Sequence, residues 1–509
     1  MFRFTARSFL VFALAAAAIV AGSFWFVQPH ALVEKEPLFS DKPDAETIGR
    51  GRYIARLGDC VACHTEQGSS DMAGGLALET PFGKIYSTNI TPDTVSGIGG
   101  WSFAAFDRAM RHGIAQDGHR LYPAMPYPSY AKITEADMSD LWAYLRYGLE
   151  PVRKANKPNY MRFPFNQRWG LAFWDKVFAR AEVFRPNPGK DAQWNRGAYL
   201  VQGLGHCGAC HTPRGIGFQE VAMSDHGEVG GEYLSGAQVE NWNAINLRGL
   251  WDVPDMMQIL KTGQNRFSTV SGAMTDVISH STQYFSVPDL TAMAVYLKSL
   301  SLKTTASNPP DGNVSDITLP MTPEGTLPVA LWNTRGGLAY AQFCADCHRA
   351  NGQGVSGIFP PLVGNPVLNA QDPSSLIHIM LTGWQTPSTH ANKRTFTMPS
   401  FARLDDSGIS EILNYVRSNW SETRTPITSE QISSARHKLS PSIDATPFVT
   451  PRLADLLKEP NAEQLVMGMR LIADTKNQLP DNVGNVLNCS SCHLNAGTVA
   501  DSYYLSDVM

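Results

Sequence analysis

Every cysteine in this 509-residue chain lies in a short cluster, in which two cysteines are separated by two residues and a histidine follows at once. The clusters read CVACH, CGACH, CADCH and CSSCH. Their cysteines are Cys60, Cys63, Cys207, Cys210, Cys344, Cys347, Cys489 and Cys492. Two thiols at this spacing can add to the two vinyl groups on one porphyrin edge, and the histidine can then bind the iron. The clusters therefore predict haem c, attached through all eight cysteines.

Two other uses of paired cysteines fit the pattern less well. A disulfide within each pair would close only a small ring, and four such rings would not crosslink a long chain. Zinc takes four ligands from cysteine and histidine, but successive clusters lie 137 to 147 residues apart. Because that interval is about the length of a domain, each cluster is expected to serve a domain of its own.

The histidine of each cluster is the expected ligand on one face of the iron, and methionine is a common ligand on the other face. The histidines are His64, His211, His348 and His493. In the first three repeats, a methionine lies in a loop 61, 63 or 50 residues after the histidine. These predicted second ligands are Met125, Met274 and Met398. A carbonyl of Pro360 or Pro361 is expected to orient His348.

The sequence around the first three clusters also repeats. A segment with glycine and tyrosine precedes each cluster, and an amphipathic segment with an acidic start, such as TEADMSDLWAYLRYGL, closes each repeat. Both predict helices, which we expect to cross closely at a glycine, with Tyr53, Tyr199 and Tyr340 packing there. Other methionines lie in helical stretches. Met110 and Met138 are expected to serve packing or to lie on a solvated face, and the core is expected to include Met256, Met257, Met293 and Met380. The predicted fold class is all-α, with tandem class I cytochrome c domains and a partial fourth unit at the C-terminus.

These signals divide the chain into domains and linkers. Cytochrome c domains are predicted at 45–150, 191–302 and 331–421, and a partial cytochrome c-like tail with the fourth motif at 451–509. Segments 303–330 and 422–450, rich in polar residues and proline, predict linkers. The connector at 151–190 is unusually aromatic. It either seals the first domain against the second or forms a membrane or partner surface.

Residues 1–30 predict export, as a signal peptide or an N-terminal membrane anchor. Arg3 and Arg7 precede an uncharged and mostly apolar run over residues 8–27. That run is closer to the roughly 20 residues that span a bilayer than to the apolar region of a cleaved signal peptide, so an anchor is favoured. Either form places the rest of the chain on the periplasmic side of the inner membrane. The net charge of −4 gives no indication of nucleic acid binding.

The fourth cluster differs from the others because only sixteen residues follow His493. A methionine loop and a closing helix need more chain than this. The segment NAEQLVMGMRLIADT could provide a leading helix, and a second iron ligand would come from Met467, Met469, another domain or no residue. The alternative is the remnant of a larger domain. NCSSCHLNAG is faintly similar to a motif of thiosulfate dehydrogenase-type dihaem cytochromes.

Longer stretches resemble the trihaem cytochrome c subunits of membrane-bound dehydrogenases. They are GRYIARLGDCVACHT, GGLALETPFGKIYSTNITPD, GIGGWSFAAFDRAMRHG, LYPAMPYPSY, GLGHCGACHTPRG and MPSFARLDD. The resemblance spans about residues 47–420 and implies the axial pairs His64/Met125, His211/Met274 and His348/Met398. It further implies electron transfer from a catalytic quinoprotein, flavoprotein or molybdenum subunit to ubiquinone or another acceptor in the respiratory chain. The fourth motif departs from the three-haem pattern.

Three functions follow from these residues. The favoured one is an electron-transfer subunit of a dehydrogenase complex, since iron bound by both histidine and methionine has no open position for a substrate. A catalytic multihaem oxidoreductase, for example one acting on a sulfur compound at the fourth haem, is the alternative. A structural metal-binding protein is the third, and it would show no haem absorption.

Overall fold

A computed structural model describes residues 31–32, 42–227, 229–301, 334–423, 425–439, 457–482 and 488–489. These residues are mostly helical, and the predicted all-α class is confirmed. The predicted export segment at 1–30 lies outside the described residues, and so do Cys492 and His493. Within the described part of the chain, no helix has the length and apolar character needed to span a bilayer.

The chain divides into two compact units. The first comprises Met1–Tyr233 and His280–Tyr296, and the second comprises Leu234–Ser279 and Leu297–Met509. The first two cysteine clusters therefore belong to the first unit, and the third cluster belongs to the second unit. The predicted second domain contributes residues to both units.

The helices include all the leading and closing segments that the sequence predicts. Helices α1 to α8 are Ala45–Leu57, Cys60–Cys63, Phe103–His112, Tyr127–Tyr130, Glu135–Tyr147, Leu171–Phe178, Ala192–Tyr199 and Gly208–His211. Helices α9 to α19 are Val253–Thr262, Met274–His280, Val287–Ser299, Arg335–Phe343, Ala345–His348, Pro366–Asn369, Ser374–Thr382, Asp406–Trp420, Ser429–Leu439, Ala462–Ala473 and Thr475–Gln478. Side chains that accept from the first-turn amides fix the starts of several helices, as Asp44 does for Thr47 at 2.7 Å.

A glycine in each leading helix allows the closing helix to approach within backbone contact. A Cβ atom at Gly51 would lie 1.9 Å from the carbonyl oxygen of Asp140 in α5. At Gly197 in α7 it would lie 2.0 Å from the Ala292 carbonyl oxygen, and at Gly336 in α12 it would lie 2.2 Å from the corresponding atom of Glu411. The predicted glycine crossing is therefore confirmed in all three repeats, because a methyl group has no room at any of them.

Tyrosines join the first two repeats through reciprocal contacts within the first unit. The hydroxyl of Tyr53 in α1 donates to Asp289 at 2.7 Å and accepts from the Ser286 amide at 2.9 Å, at the start of α11. The hydroxyl of Tyr199 in α7 donates to Asp137 at 2.5 Å and lies 3.3 Å from the Thr134 amide, at the start of α5. Each leading helix is thus bonded to the start of the other repeat's closing helix.

The core of the third repeat lies between α12 and α16 in the second unit. Tyr340 is fully buried there, and its ring lies 5.5 Å from that of Tyr415 and 4.9 Å from that of Trp420. Its hydroxyl donates to the Arg349 carbonyl at 2.7 Å. Tyr340 therefore packs at its own helix crossing as predicted, whereas that prediction is wrong for Tyr53 and Tyr199.

Short antiparallel hairpins accompany the helices, and the sequence analysis did not predict them. Strands β1 to β7 are Ala77–Thr80, Gly83–Tyr86, Tyr160–Met161, Ala237–Val239, Trp242–Ala244, Trp384–Gln385 and Thr397–Met398. They form the sheets β1-β2-β3, β4-β5 and β6-β7. Gly83 has φ 135°, and a Cβ atom added there would lie 2.3 Å from the Tyr160 carbonyl oxygen. A glycine at this position therefore allows β2 to pair with β3, the strand formed by the aromatic connector.

The aromatic connector has one packed side and one exposed side. Trp174 in α6 lies 6.3 Å from the Tyr127 ring and donates from its indole N–H to the Gly217 carbonyl at 2.7 Å. On its other side, Phe173 is 54% exposed and Val177 is 65% exposed. The segment therefore does seal residues of the first repeat against those of the second, and it also presents an apolar surface to solvent.

Candidate haem sites

The first cluster forms α2, a single helical turn held against α1 by a tight bend. Asp59 adopts φ 51°, and the His64 amide donates to the Cys60 carbonyl at 2.9 Å. Tyr130, at the end of α4, is buried and donates from its hydroxyl to the Gly58 carbonyl at 2.7 Å. Because α4 begins two residues after Met125, this bond ties the loop of the predicted methionine ligand to the turn that carries the cluster.

The imidazole rings of the first and third clusters are oriented by backbone carbonyls. Nδ1 of His64 lies 2.6 Å from the Thr88 oxygen, and Nδ1 of His348 lies 3.0 Å from the Pro360 oxygen. The Pro360 contact was predicted, and the Thr88 contact was not. With Nδ1 protonated, Nε2 keeps a lone pair for a metal. Burial lowers the pKa of both histidines, which favours the neutral form that binds iron.

The second cluster follows an irregular helix end. Helix α7 continues into a π-helical turn at Leu200–Leu204, and His206 then adopts φ 35° before α8. The His211 amide donates to the Cys207 carbonyl at 3.0 Å, as the equivalent amide does in the first cluster. π-Helical turns are frequent at functional sites. Here the turn is followed directly by the bend that leads to the cluster.

A buried polar chain lies beside the second cluster. The Lys132 ammonium donates to the side-chain Oε1 of Gln202 at 3.1 Å and to the backbone carbonyl of Met223. The Gln202 amide donates to the Tyr296 hydroxyl at 2.8 Å, and that hydroxyl donates to Asp225 at 3.0 Å. These hydrogen-bonded residues were not predictable, since they are far apart in the sequence and carry no motif.

Glu220 brings a second titratable group to the same place. A Cβ at Gly208, inside the second cluster, would lie 2.3 Å from a carboxylate oxygen of Glu220, so this glycine makes room for the carboxyl group. Burial raises the pKa of Glu220 to about 7 and lowers that of Lys132 to about 8. Both side chains therefore change charge near neutral pH.

The described cysteines are not crosslinked, and burial favours the protonated thiol at several of them. Within the described residues, none of the seven is in a disulfide. Burial raises the pKa of Cys60 and Cys207 to about 12 and that of Cys347 to about 11, and it raises the pKa of Cys344 as well. Among the described residues, no three His, Cys, Asp or Glu side chains are grouped to hold a metal ion, so the clustering that a zinc site needs is not found there.

The predicted methionine ligands occupy three different local structures. Met125 lies in a bend before α4, as expected, and its amide donates to the Tyr122 carbonyl at 3.1 Å. Met274 was expected in a loop but is the first residue of α10. Met398 lies in β7, paired with Trp384. Of the helical methionines that were expected to pack, Met257 is only half-buried, and the others are buried, namely Met110, Met138, Met256, Met293 and Met380.

The residue just before the fourth cluster contacts the third cluster. The Cys489 amide donates to the Thr475 hydroxyl at 2.9 Å. The Asn488 side chain donates to Asp346, inside the third cluster, at 2.8 Å. The two ends of this contact are 142 residues apart in the sequence. Cys492 and His493, which complete the motif, lie outside the described residues.

These sites fit haem c, on the chemistry of their donors: paired thiols followed by a histidine, whose ring is held through Nδ1 in the first and third clusters. The cytochrome c family model matches residues 48–148 and 334–420. The chain is 42% identical over 416 residues to the gluconate 2-dehydrogenase cytochrome c subunit of Pantoea cypripedii, covering 78% of this chain and 91% of that protein. It is 40% identical to the cytochrome c subunit of the quinone alcohol dehydrogenase of Gluconobacter oxydans, covering 74% and 79% of the two chains.

The protein belongs to the family of dehydrogenase cytochrome c subunits. A further relative, the fructose dehydrogenase cytochrome subunit of Gluconobacter japonicus, is 34% identical over 450 residues, with 83% of this chain and 88% of that protein covered. Family membership identifies this cytochrome as a haem c protein that transfers electrons. The haem supplies a ferric/ferrous couple. The paired cysteines would attach it, and the rings of His64 and His348, held through Nδ1, would ligate it.

Proposed function

We propose that this cytochrome receives electrons from a catalytic dehydrogenase subunit and passes them to ubiquinone or another respiratory acceptor, at the periplasmic side of the inner membrane. The names of its relatives support a dehydrogenase as the donor. The apolar sequence at the N-terminus supports the location. The proposed axial pairs are His64 with Met125, His211 with Met274, and His348 with Met398.

One observation carries the proposal: a single buried side chain bridges the first two attachment sites. Tyr130 donates to the Gly58 carbonyl, two residues before Cys60. Its ring also lies 5.5 Å from that of His206, which directly precedes Cys207. Redox groups held this near each other, in a fixed packing, are what an electron-transfer protein needs.

The decisive experiment uses the complex isolated from its membrane, with its native dehydrogenase subunit. Adding that subunit's substrate should reduce the haems, and a soluble ubiquinone analogue should reoxidise them. Reduction without any reoxidation by the quinone would reject ubiquinone as the acceptor. Failure of the substrate to reduce any haem would reject the donor. A high-spin iron signal together with turnover of a sulfur compound would instead favour the catalytic alternative.

The ligand assignment is tested separately with matched methionine variants. Met125→Leu should abolish the weak near-infrared absorption of one His/Met-ligated ferric haem and lower the reduction potential of that haem, because a thioether favours ferrous iron. Met110→Leu is the control, since Met110 is buried in α3 and is expected to serve packing only. An unchanged near-infrared band in Met125→Leu would refute this pair. Met274→Leu and Met398→Leu extend the test.

We also propose that a fourth haem is attached at Cys489 and Cys492, with His493 as its ligand. The contact of Asn488 with Asp346 supports this, since it places the start of the fourth cluster beside the third. A pyridine haemochrome assay should count four haems per chain, and Cys489→Ser with Cys492→Ser should reduce the count to three. A count of three in the unaltered protein would refute the fourth site.

A further inference from the structure

Two tryptophans join the second repeat to the third within the second unit. Trp242 lies in β5, in the second repeat, and Trp384 lies in β6, in the third repeat. Both side chains are half-buried, and their rings lie 5.3 Å apart at an angle of 74°. Both residues belong to the second unit, as do Met274 and Met398. The two predicted methionine ligands therefore share one compact unit with this aromatic contact.

Trp384 stands directly opposite Met398 in the β6-β7 hairpin. Side chains directly opposite each other in antiparallel strands project from the same face, with Cβ atoms about 5 Å apart. Gly383, just before Trp384, has φ 71°, and a Cβ atom there would lie 2.6 Å from the Met398 carbonyl oxygen. The backbone of Met398 is therefore packed closely against the strand that carries Trp384.

The same indole is bonded to the segment that leads to Met274. The N–H of Trp384 donates to the Val270 carbonyl at 3.1 Å, across 114 residues of sequence. Val270 is buried, and its own amide donates to the Gly263 carbonyl at 2.9 Å, just after α9. One side chain therefore contacts the segment of each methionine, through the hairpin for Met398 and through its N–H for Met274.

The Trp242 ring supports the turn that carries Met274. Gly272 has φ 61°, and a Cβ atom there would lie 2.7 Å from the Trp242 ring. The Gly272 carbonyl accepts from the Thr275 amide at 3.0 Å, so Met274 is part of this turn. The Trp242 ring also stacks on that of His378 in α15, with centroids 3.9 Å apart. Trp242 thus joins the turn to a helix of the third repeat.

Further contacts fix the two tryptophans from both repeats. A Cβ atom at Gly263 would lie 2.4 Å from Cγ of Pro387, three residues after Trp384. The amide of Asn243, next to Trp242, donates to the Ser375 hydroxyl at 2.9 Å. The aromatic contact is therefore part of a wider packed boundary between the second and third repeats.

We infer that Trp384 is a positioning residue shared by the second and third haems. It holds the turn of Met274 through its indole N–H and the strand of Met398 through the β6-β7 pairing. Because a methionine ligand raises the reduction potential of a haem, the potentials of both haems then depend on one side chain. The inference rests on the proposed pairs His211/Met274 and His348/Met398.

The test measures how readily each methionine leaves its iron, with cyanide as the competing ligand. It uses the full chain in its purified complex, in the oxidised form. Met274→Leu and Met398→Leu first assign the electron paramagnetic resonance signals of the two haems. In Trp384→Phe, cyanide should bind to both haems about fivefold faster than in the unaltered protein, the factor that corresponds to the loss of one hydrogen bond. The reduction potentials of both haems should fall.

A matched variant removes the same kind of bond elsewhere. Trp174→Phe also loses an indole bond to a backbone carbonyl, that of Gly217 at 2.7 Å, but this bond lies in the first unit. It should leave cyanide binding at the second and third haems unchanged.

A second variant approaches the contact from the other repeat. The methyl group of Gly272→Ala would displace the Trp242 ring, which lies against Trp384. Cyanide should therefore bind faster at the third haem as well as at the second. This variant keeps the test decisive if Trp384→Phe does not fold.

The remaining outcomes separate this inference from the proposed function. Faster cyanide binding at only one haem in Trp384→Phe would show that the tryptophan serves one ligand and not both. Lower thermal stability with unchanged cyanide binding and unchanged potentials would show a structural role alone. Either result overturns the inference and leaves the proposed function standing. If Met274→Leu and Met398→Leu leave the haem signals unaltered, the proposed ligand pairs fail, and the inference fails with them.

Discussion

The first two repeats and the third place a leading-helix tyrosine on opposite sides of the same kind of helix crossing. Tyr53 and Tyr199 stand two residues after their crossing glycines, Gly51 and Gly197, and Tyr340 stands four residues after Gly336. Two residues correspond to about 200° around a helix and four to about 40°. The first pair therefore points away from its own closing helix and toward the other repeat, whereas Tyr340 points into its own crossing.

This difference shows what a two-residue change in the spacing from glycine to tyrosine does. It decides whether the tyrosine joins two repeats or packs within its own repeat. In the first unit, the tyrosine hydroxyls bind Asp289 and Asp137, at the starts of the closing helices. In the third repeat, the hydroxyl binds the Arg349 carbonyl, just after the third cluster. The same helix, glycine and haem motif can therefore carry a tyrosine that joins two repeats or a tyrosine that packs within its own repeat.

The largest effect is expected where the repeats are alike. Gly51→Ala and Gly336→Ala should each destabilise the protein by about 3 kcal/mol or more, because the added methyl group would lie 1.9 Å or 2.2 Å from a carbonyl oxygen. Gly49→Ala, in the same helix as Gly51 but with nothing within 4 Å of its Cβ, is the control and should be neutral or slightly stabilising. Thermal unfolding followed by circular dichroism measures all three. A tolerated Gly336→Ala would show that the third crossing is looser than the first.

The next largest effect on stability should come from Glu220, should be confined to the first two repeats and should depend on pH. The pKa of Glu220 is raised to about 7 from 4.5, so the folded state holds this proton more tightly and loses stability as the pH rises from about 4.5 to 7. Glu220→Gln should remove this loss, a gain of up to about 3 kcal/mol above pH 7. It should give little gain at pH 4.5.

Denaturant unfolding of the first unit between pH 4.5 and 8 provides the measurement. Glu79→Gln is the control, because Glu79 is exposed in β1 and pairs with Lys84 at the surface. If the free energy of unfolding of Glu220→Gln changes with pH just as that of the unaltered protein does, the Glu220 carboxyl group is better solvated than its surroundings suggest.

Tyrosine variants test the comparison most directly, with an effect of about 1 kcal/mol for each lost hydrogen bond. Tyr53→Phe and Tyr199→Phe should increase hydrogen exchange at the starts of α11 and α5, and Tyr340→Phe should do so only around Arg349. Exchange measured by mass spectrometry on all three variants resolves these regions. Faster exchange at 134–147 in Tyr340→Phe would contradict the separation of the two arrangements.

The smallest effect concerns the tail. Asn488→Ala removes one partly buried bond to Asp346 and should cost less than about 1 kcal/mol. It should increase exchange at 344–348 and leave the first two clusters unchanged. Asn482→Ala, at an exposed position, should have no effect at 344–348. If the two variants behave alike, the contact between the tail and the third cluster contributes nothing to the order of that cluster.

Local patterns explain which features the sequence could predict. The closing helices and the crossing glycines follow from helical periodicity and repetition, and they are confirmed. The Pro360 contact of His348 was also predictable, because it lies only 12 residues away in the chain. The positions of Tyr53 and Tyr199 were predicted wrongly, although the spacing that places them was visible in the sequence.

Contacts between distant residues explain most of what was missed. Lys132 reaches Met223 across 91 residues, and no periodic pattern marks either one. The hairpins consist of strands of two to four residues, too short for an alternating pattern to identify them. Met274 was placed in a loop between its cluster and the closing helix, but α10 begins at that very residue.

The reciprocal tyrosine contacts have a consequence for the direction of electron transfer between the first two haems. An arrangement that is the same when the two repeats are exchanged gives no preference to either direction of flow. Whatever makes one haem the donor and the other the recipient has to come from features that only one of them possesses. Lys132 and Glu220 are such features, since they place two ionisable charges beside the second cluster.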